Sequence, residues 1–179
     1  NLGIDYESSK TVNPRLVYAS ISGFGQESPY ANRPGLDQVA QGMGGHMSVT
    51  GEPGGQPMKV GVGIADIMTG MYATTAILAA LHHRHATGRG QHIDMALYDC
   101  SVALLAHQAQ SFFATGENPP RMGNMHAQVS AYGVFPTKDG PVVLAPANDR
   151  LFRKLLEVFE RHDLLGDERF ATNEARIAN

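Results

Sequence analysis

The residue best placed to do chemistry in this chain is Asp66. It lies in the run Val60-Gly-Val-Gly-Ile-Ala-Asp66-Ile-Met-Thr-Gly70-Met-Tyr-Ala-Thr-Thr-Ala-Ile-Leu-Ala-Ala-Leu81. A short apolar, glycine-bearing stretch ends at one carboxylate, and a helical pattern opens there. Ile67, Met71, Thr74, Leu78 and Leu81 recur at spacings of three and four, which predicts an apolar face on a helix running to about His85. The spacing puts Asp66 at the N-cap, beside free backbone N–H groups and the positive end of the helix dipole. Both favour the ionised form, so the carboxylate is expected to be charged and available at neutral pH. It either caps the helix or does chemistry. The histidines invite a metal reading and do not sustain it. His82, His83 and His85 fall at the C-terminal end of the helix, where the dipole favours cations, and no carboxylate or cysteine completes a ligand set with them or with His92. No metal is expected. Met43, Met47, Met68, Met71 and Met95 are expected to fill core space.

The elements that must position Asp66 follow from patterning. Arg15 to Ser22 is predicted as a buried strand, with a long loop, Gly23 to Gly35, at its C-terminal end, where α/β folds bind ligands. A short helix over Leu36 to Met43, closed by Gly44-Gly45, and a flexible loop over Thr50 to Pro57 lead into the Asp66 run. Thr87-Gly88-Arg89-Gly90 supplies the helix stop, Gln91 to Leu97 alternates like a half-buried strand, and Tyr98 to Ala114 is predicted as one further helix. Strand, helix, strand, helix predicts a parallel α/β layer. After Gly116 the character changes. Two strands, Tyr132 to Pro136 and Val142 to Pro146, joined by Thr137-Lys-Asp-Gly140, predict a β-hairpin, and Asn148-Asp149 opens a helix carrying Leu151, Leu155, Val158 and Phe159. The expected organisation is residues 1–115 as part of a large α/β domain, 116–121 as linker and 122–179 as part of a smaller α+β domain.

Composition limits the function classes. Of 179 residues, 42% are hydrophobic and 17% charged, which supports a packed core and excludes disorder. The net charge of −3, with both signs interspersed, leaves no footprint for nucleic acid or for an anionic membrane surface. The apolar stretches read as too short and too mixed to span a bilayer. A single cysteine, Cys100, fits a reducing compartment, so a cytoplasmic location is expected, or a mitochondrial one in a eukaryote. No signal peptide is visible, and Asn1-Leu-Gly-Ile-Asp-Tyr reads as the middle of a longer protein.

Several segments together resemble the class III CoA-transferase family, also called CaiB/BaiF, which includes formyl-CoA transferase and the dicarboxylate CoA-transferases. They are Asn13 to Gln26, Pro34-Gly-Leu-Asp-Gln-Val-Ala-Gln41, Ala65-Asp-Ile-Met-Thr-Gly-Met-Tyr72, Ala86-Thr-Gly-Arg-Gly-Gln91, and Gly123-Asn-Met-His126 followed by Tyr132-Gly-Val-Phe135. They run in order over nearly the whole chain. The resemblance implies the C-terminal part of a Rossmann-like, CoA-binding large domain followed by a small α+β domain, in a fold that forms interlocked homodimers. It implies that Asp66 is a nucleophile which passes CoA from an acyl-CoA to a carboxylic acid, through a mixed anhydride and an aspartyl-CoA thioester. No covalently bound cofactor is implied; the CoA thioester is a substrate.

The resemblance also implies roles for other positions. Asp37 matches an acidic residue close to the nucleophile, and Gly123-Asn124 matches a loop that covers the site. Arg33 either faces a CoA phosphate or is an ordinary exposed loop arginine. His126 either touches substrate or hydrogen-bonds within its loop. Leu36 stands where racemases of the superfamily carry a histidine, which argues against α-proton abstraction. Met125-His-Ala-Gln-Val-Ser130 replaces the polyglycine run of formyl-CoA transferase, which puts oxalate in doubt and points to a larger dicarboxylate. The non-enzymatic alternative is a catalytically incomplete scaffold.

Overall fold

The side chain of Asp5 accepts a hydrogen bond from the Ser8 amide at 2.9 Å and so starts the first helix, α1 (Tyr6–Val12). That bond, with a second from the Ser8 hydroxyl, holds the Asp5 carboxyl below its usual range. No apolar stripe marks α1, and it buries no residue, so the patterning gives no sign of it. The computed structural model describes residues 2–179. The chain continues through β1 (Val17–Ser22), α2 (Asp37–Met43), α3 (His46–Val49), α4 (Ile64–Thr87), β2 (Gln91–Ala96), α5 (Leu97–Ala103) and α6 (His107–Thr115). It then forms β3 (Gly133–Thr137), β4 (Gly140–Leu144), α7 (Asp149–Val158), two short 3-10 turns and α8 (Asn173–Ala178). Two compact units result. The first ends at Arg121 and omits Glu52–Gly54; the second comprises Glu52–Gly54 and Met122–Asn179.

In the first unit β1 and β2 pair in parallel, with Val17 opposite Gln91 and Ser22 opposite Ala96, and α4 is part of the connection between them. This is the α/β pattern the alternation predicts. β1 is half-buried rather than buried, with Ile21 55% exposed, because among the described residues the sheet has two strands and β1 is covered by a neighbour on one side only. Ala40, Ala65 and Leu97 form the core cluster where α2, α4 and α5 meet.

Helix α4 departs from expectation in phase. Its period is helical, but the buried residues are Ala65, Thr69, Ala73 and Ala80, while Ile67, Met71 and Leu78 are 52%, 59% and 62% exposed. The helix is apolar nearly all round, and the small side chains win the inner face because they let it lie close to α5, α2 and the strands. It is therefore not the heavily buried element its composition suggests. With 24 residues and a mean hydropathy of 1.5 in its most apolar window, it is also long and apolar enough to cross a membrane, contrary to the expectation above. Its packing against β1, β2, α2 and α5 makes it the central helix of its unit.

The single helix predicted over Tyr98–Ala114 is two. The break has no Gly or Pro to announce it: Ala106 takes φ 45°, while Leu105 turns back against Gly45. Such a conformation costs of order 1–3 kcal/mol and persists only where tertiary packing imposes it.

The second unit contains the expected hairpin, antiparallel, with Thr137 opposite Gly140 across a two-residue turn. Asn148 caps α7 by accepting a hydrogen bond from the Leu151 amide at 2.9 Å. Here too the face is shifted, by one residue: Phe152 and Leu156 are buried, whereas Val158 and Phe159 are 76% and 54% exposed. Arg176 of α8, 4% exposed, lies over the Phe152 ring at 4.4 Å and donates to Asp149 at 2.7 Å. That contact favours Phe152 over Leu151 as the inward residue.

Candidate active site

Asp66 is not the N-cap. Helix α4 starts at Ile64 with Gly63 as its cap residue, which makes Asp66 the third residue of the first turn. The capping acceptor comes from another helix. Asp37, the first residue of α2, receives the amides of Ala65 (2.9 Å) and Asp66 (3.4 Å) on one carboxylate oxygen, Oδ1. The Ile64 amide donates to the Val62 carbonyl at 2.8 Å, and the Ile67 amide to the Gly63 carbonyl at 3.1 Å. The N–H groups expected to be free beside Asp66 are thus already satisfied. Its own carboxylate is exposed and accepts no hydrogen bond among the described residues. The two acids flank Gly63: a methyl group placed there would stand 3.6 Å from the Asp37 carboxyl carbon and 3.9 Å from Asp66 Oδ2.

Asp37 is held in turn from behind. Gln41, one turn along α2 and with no exposed surface, donates from Nε2 to Asp37 Oδ2 at 2.7 Å. Its Oε1 accepts from the Val60 amide at 2.8 Å, and Nε2 also reaches the Val62 carbonyl at 3.4 Å. Gln41 therefore anchors the glycine-bearing run that delivers Asp66. The next layer fixes α2 itself: Ser101 Oγ donates to the Ala40 carbonyl at 3.0 Å, and the buried His46 ring bonds the Ser101 carbonyl through Nε2 at 2.7 Å. None of Gln41, His46 and Ser101 was singled out in the sequence. For Gln41 a signal existed, a four-residue spacing from Asp37 on a short helix.

The 23–35 loop closes on itself. The backbones of Gly23 and Gly35 touch so closely that a Cβ on Gly23 would lie 2.4 Å from the Gly35 Cα, which only two glycines permit. Inside the loop Phe24 is buried against the rings of Tyr30 and Tyr98, and the Gln26 amide donates to Asp94 Oδ2 at 2.7 Å. Arg33 is exposed and lies over the Tyr30 ring at 4.1 Å. Leu36, 69% exposed, is the cap residue of the helix that carries Asp37. The first unit thus brings Asp37 and Asp66 together, with Leu36 next in the chain to Asp37 and Arg33 on the loop leading there.

Gly123, Asn124 and His126 belong to the second unit. Gly123 has φ 57°, a left-handed conformation that favours glycine. Asn124 is exposed. His126 stacks on Tyr132 with centroids 4.9 Å apart, its Nδ1 accepts from the Gln128 amide at 3.1 Å, and its own amide donates to the Tyr132 carbonyl at 2.9 Å. The loop hydrogen bond weighed for it is present. Among the described residues no group of three His, Cys, Asp or Glu is gathered as a metal site; His92 bonds Ser20 at 2.9 Å and stacks on Tyr6.

An exposed carboxylate with its helix capped by a second, tethered carboxylate is an arrangement suited to covalent catalysis. Comparison with known proteins gives the family. The chain belongs to CoA-transferase family III, which it matches over residues 1–179. It is 52% identical over 177 residues to the succinate–glutarate CoA-transferase of Agrobacterium fabrum, covering 99% of this chain and 44% of that protein. It is 41% identical over 179 residues to the acetyl-CoA:oxalate CoA-transferase of Acetobacter aceti, covering 99% of this chain and 46% of that one. The fold matches the crystal structure of a CaiB/BaiF family protein from Brucella suis with a TM-score of 0.81 and 51% identity, over 99% of this chain and 47% of the other. The chain spans less than half the length of these relatives.

Proposed function

We propose that the full-length protein transfers coenzyme A between dicarboxylic acids, with Asp66 as the nucleophile. The Asp66 carboxylate attacks the thioester carbonyl of the donor, the C–S bond breaks, and an aspartyl–acyl anhydride and CoA thiolate result. The thiolate attacks the aspartyl carbonyl, releasing the donor acid and leaving an aspartyl-CoA thioester. The acceptor carboxylate repeats the two steps in reverse, leaving as its CoA ester and restoring Asp66. The observation that carries this reading is the division between the two acids: Asp37 takes the α4 amides, and Asp66 is exposed with no capping duty.

Because the α4 amides are occupied, the tetrahedral oxyanions need other donors. Gly123 and Asn124, which match the family loop that covers the site, are proposed as substrate-binding residues. Arg33 and the closed 23–35 loop are assigned to the nucleotide part of CoA, and His126 to the acceptor. The expected pair is a succinyl-CoA donor with an acceptor of four to six carbons, a reading supported by the name of the Agrobacterium relative. The first unit is assigned to a Rossmann-like large domain, and the apolar outer stripe of α4 to a homodimer interface.

The test is Asp66→Ala in the full-length protein. CoA transfer should fall to background, while stability changes little, since no cap is lost. Turnover within about tenfold of wild type would remove the nucleophile assignment, because removal of a covalent nucleophile costs several orders of magnitude.

A further inference from the structure

We infer that Gln41 is a positioning residue for catalysis, acting on Asp66 through Asp37; this rests on the reading of Asp66 as nucleophile. Three groups converge on the buried amide: the Val60 N–H, the Val62 carbonyl and the Asp37 carboxylate. These partners fix its orientation, since a flipped amide would set a donor against the Val60 N–H and an acceptor against a carboxylate. An amide is the neutral side chain that serves an acceptor and a donor at once. Here it orients Asp37 so that Oδ1 faces the Ala65 and Asp66 amides. Without it the Asp37 carboxylate is free to turn away, and the uncapped amides are left with the Asp66 carboxylate, which flanks Gly63 beside them, as a competing acceptor. A nucleophile drawn into capping its own helix is withdrawn from the substrate.

Gln41→Glu separates this role from simple packing, because glutamic acid and glutamine have nearly the same shape. A protonated Glu at 41 donates to Asp37 and accepts from Val60, as the amide does. An ionised one places a second negative charge against Asp37. Burial and that like charge both raise the variant's carboxyl above the ordinary glutamate value of about 4.3. On α2, on the elements packed against it and on the incoming run, the titratable groups nearest in the chain to the contacts are Asp37 on α2, Asp66 on α4, Lys59 beside Val60, His46 on α3, and Tyr98, Asp99 and Cys100 on α5. Of these, Asp37 alone hydrogen-bonds the residue 41 side chain.

The experiment is steady-state kinetics across pH on the full-length enzyme, with melting curves recorded at each pH. Relative to wild type, Gln41→Glu should keep kcat near normal at about pH 5 and lose about tenfold or more by about pH 8, with the KM for the CoA ester changed less than about threefold. The loss should reverse when the same sample is returned to acid. Gln41→Met, which neither donates to the carboxylate nor accepts from Val60, should show the lowered kcat at every pH. A Gln41→Glu to wild-type kcat ratio that does not vary with pH overturns the inference, as does a loss in both variants that follows melting temperature and KM rather than kcat. If Asp66→Ala is inactive while Gln41→Glu tracks wild type, this inference alone fails. If Asp66→Ala stays active, the nucleophile reading fails and this role falls with it.

Discussion

At the scale of single residues, His126 is the residue proposed for the acceptor. Its ring is held by Tyr132 and by the Gln128 amide, so it is oriented before any substrate arrives. A pre-placed donor to a carboxylate contributes about 1.5–3 kcal/mol when water is excluded. With succinyl-CoA as donor and a panel of acids, acceptors of four to six carbons should give the highest kcat/KM. His126→Ala should raise their KM roughly tenfold, the equivalent of about 1.4 kcal/mol. Better turnover of oxalate or of a monocarboxylate would overturn the substrate assignment, and an unchanged acceptor KM would remove His126 from it. Asp66 itself is legible in the chain as a lone carboxylate where an apolar run becomes a helix. The resemblance puts Asp37 close to it, but not as the cap of α4, because Asp37 lies 29 residues away and only the packing of α2 on α4 brings it to the helix start. Gln41 is hidden for the same reason: its Val60 and Asp37 contacts come from two different segments.

At the scale of elements, periodicity predicted α4 and the wrong side of it. A helix with apolar residues on every face carries no phase in its pattern, and the choice falls to the neighbours. The hairpin and the Asn148 cap were legible because turn and cap chemistry is local. The α5–α6 break was not, because Ala106 is held in its conformation from outside the segment. The phase of α4 can be checked directly. Ala73 is 3% exposed, so Ala73→Leu should destabilise the full-length protein by about 1–3 kcal/mol in chemical denaturation, through overpacking. An unchanged midpoint would place the inner face elsewhere.

At the scale of the whole molecule, the stripe of Ile67, Met71 and Leu78 is large and apolar for a water-facing surface. If it is the face of a homodimer, Met71→Lys with Leu78→Lys should shift the full-length protein from dimer to monomer in sedimentation velocity. A dimer unmoved by two buried charges would assign the stripe to another contact. Beneath that face, the separation of Asp37 from Asp66 has a consequence for how the scaffold experiences turnover. A catalytic carboxylate that becomes an anhydride and then a thioester loses its charge at the first acylation and regains it only when the cycle closes. Were the same group holding the start of α4, the central helix of its unit would be uncapped and recapped at every transfer. With the anchoring charge on Asp37, the proposed acylation of Asp66 would leave the frame electrically unchanged. The covalent intermediates of the proposed cycle would then sit on a scaffold as stable as that of the unacylated protein.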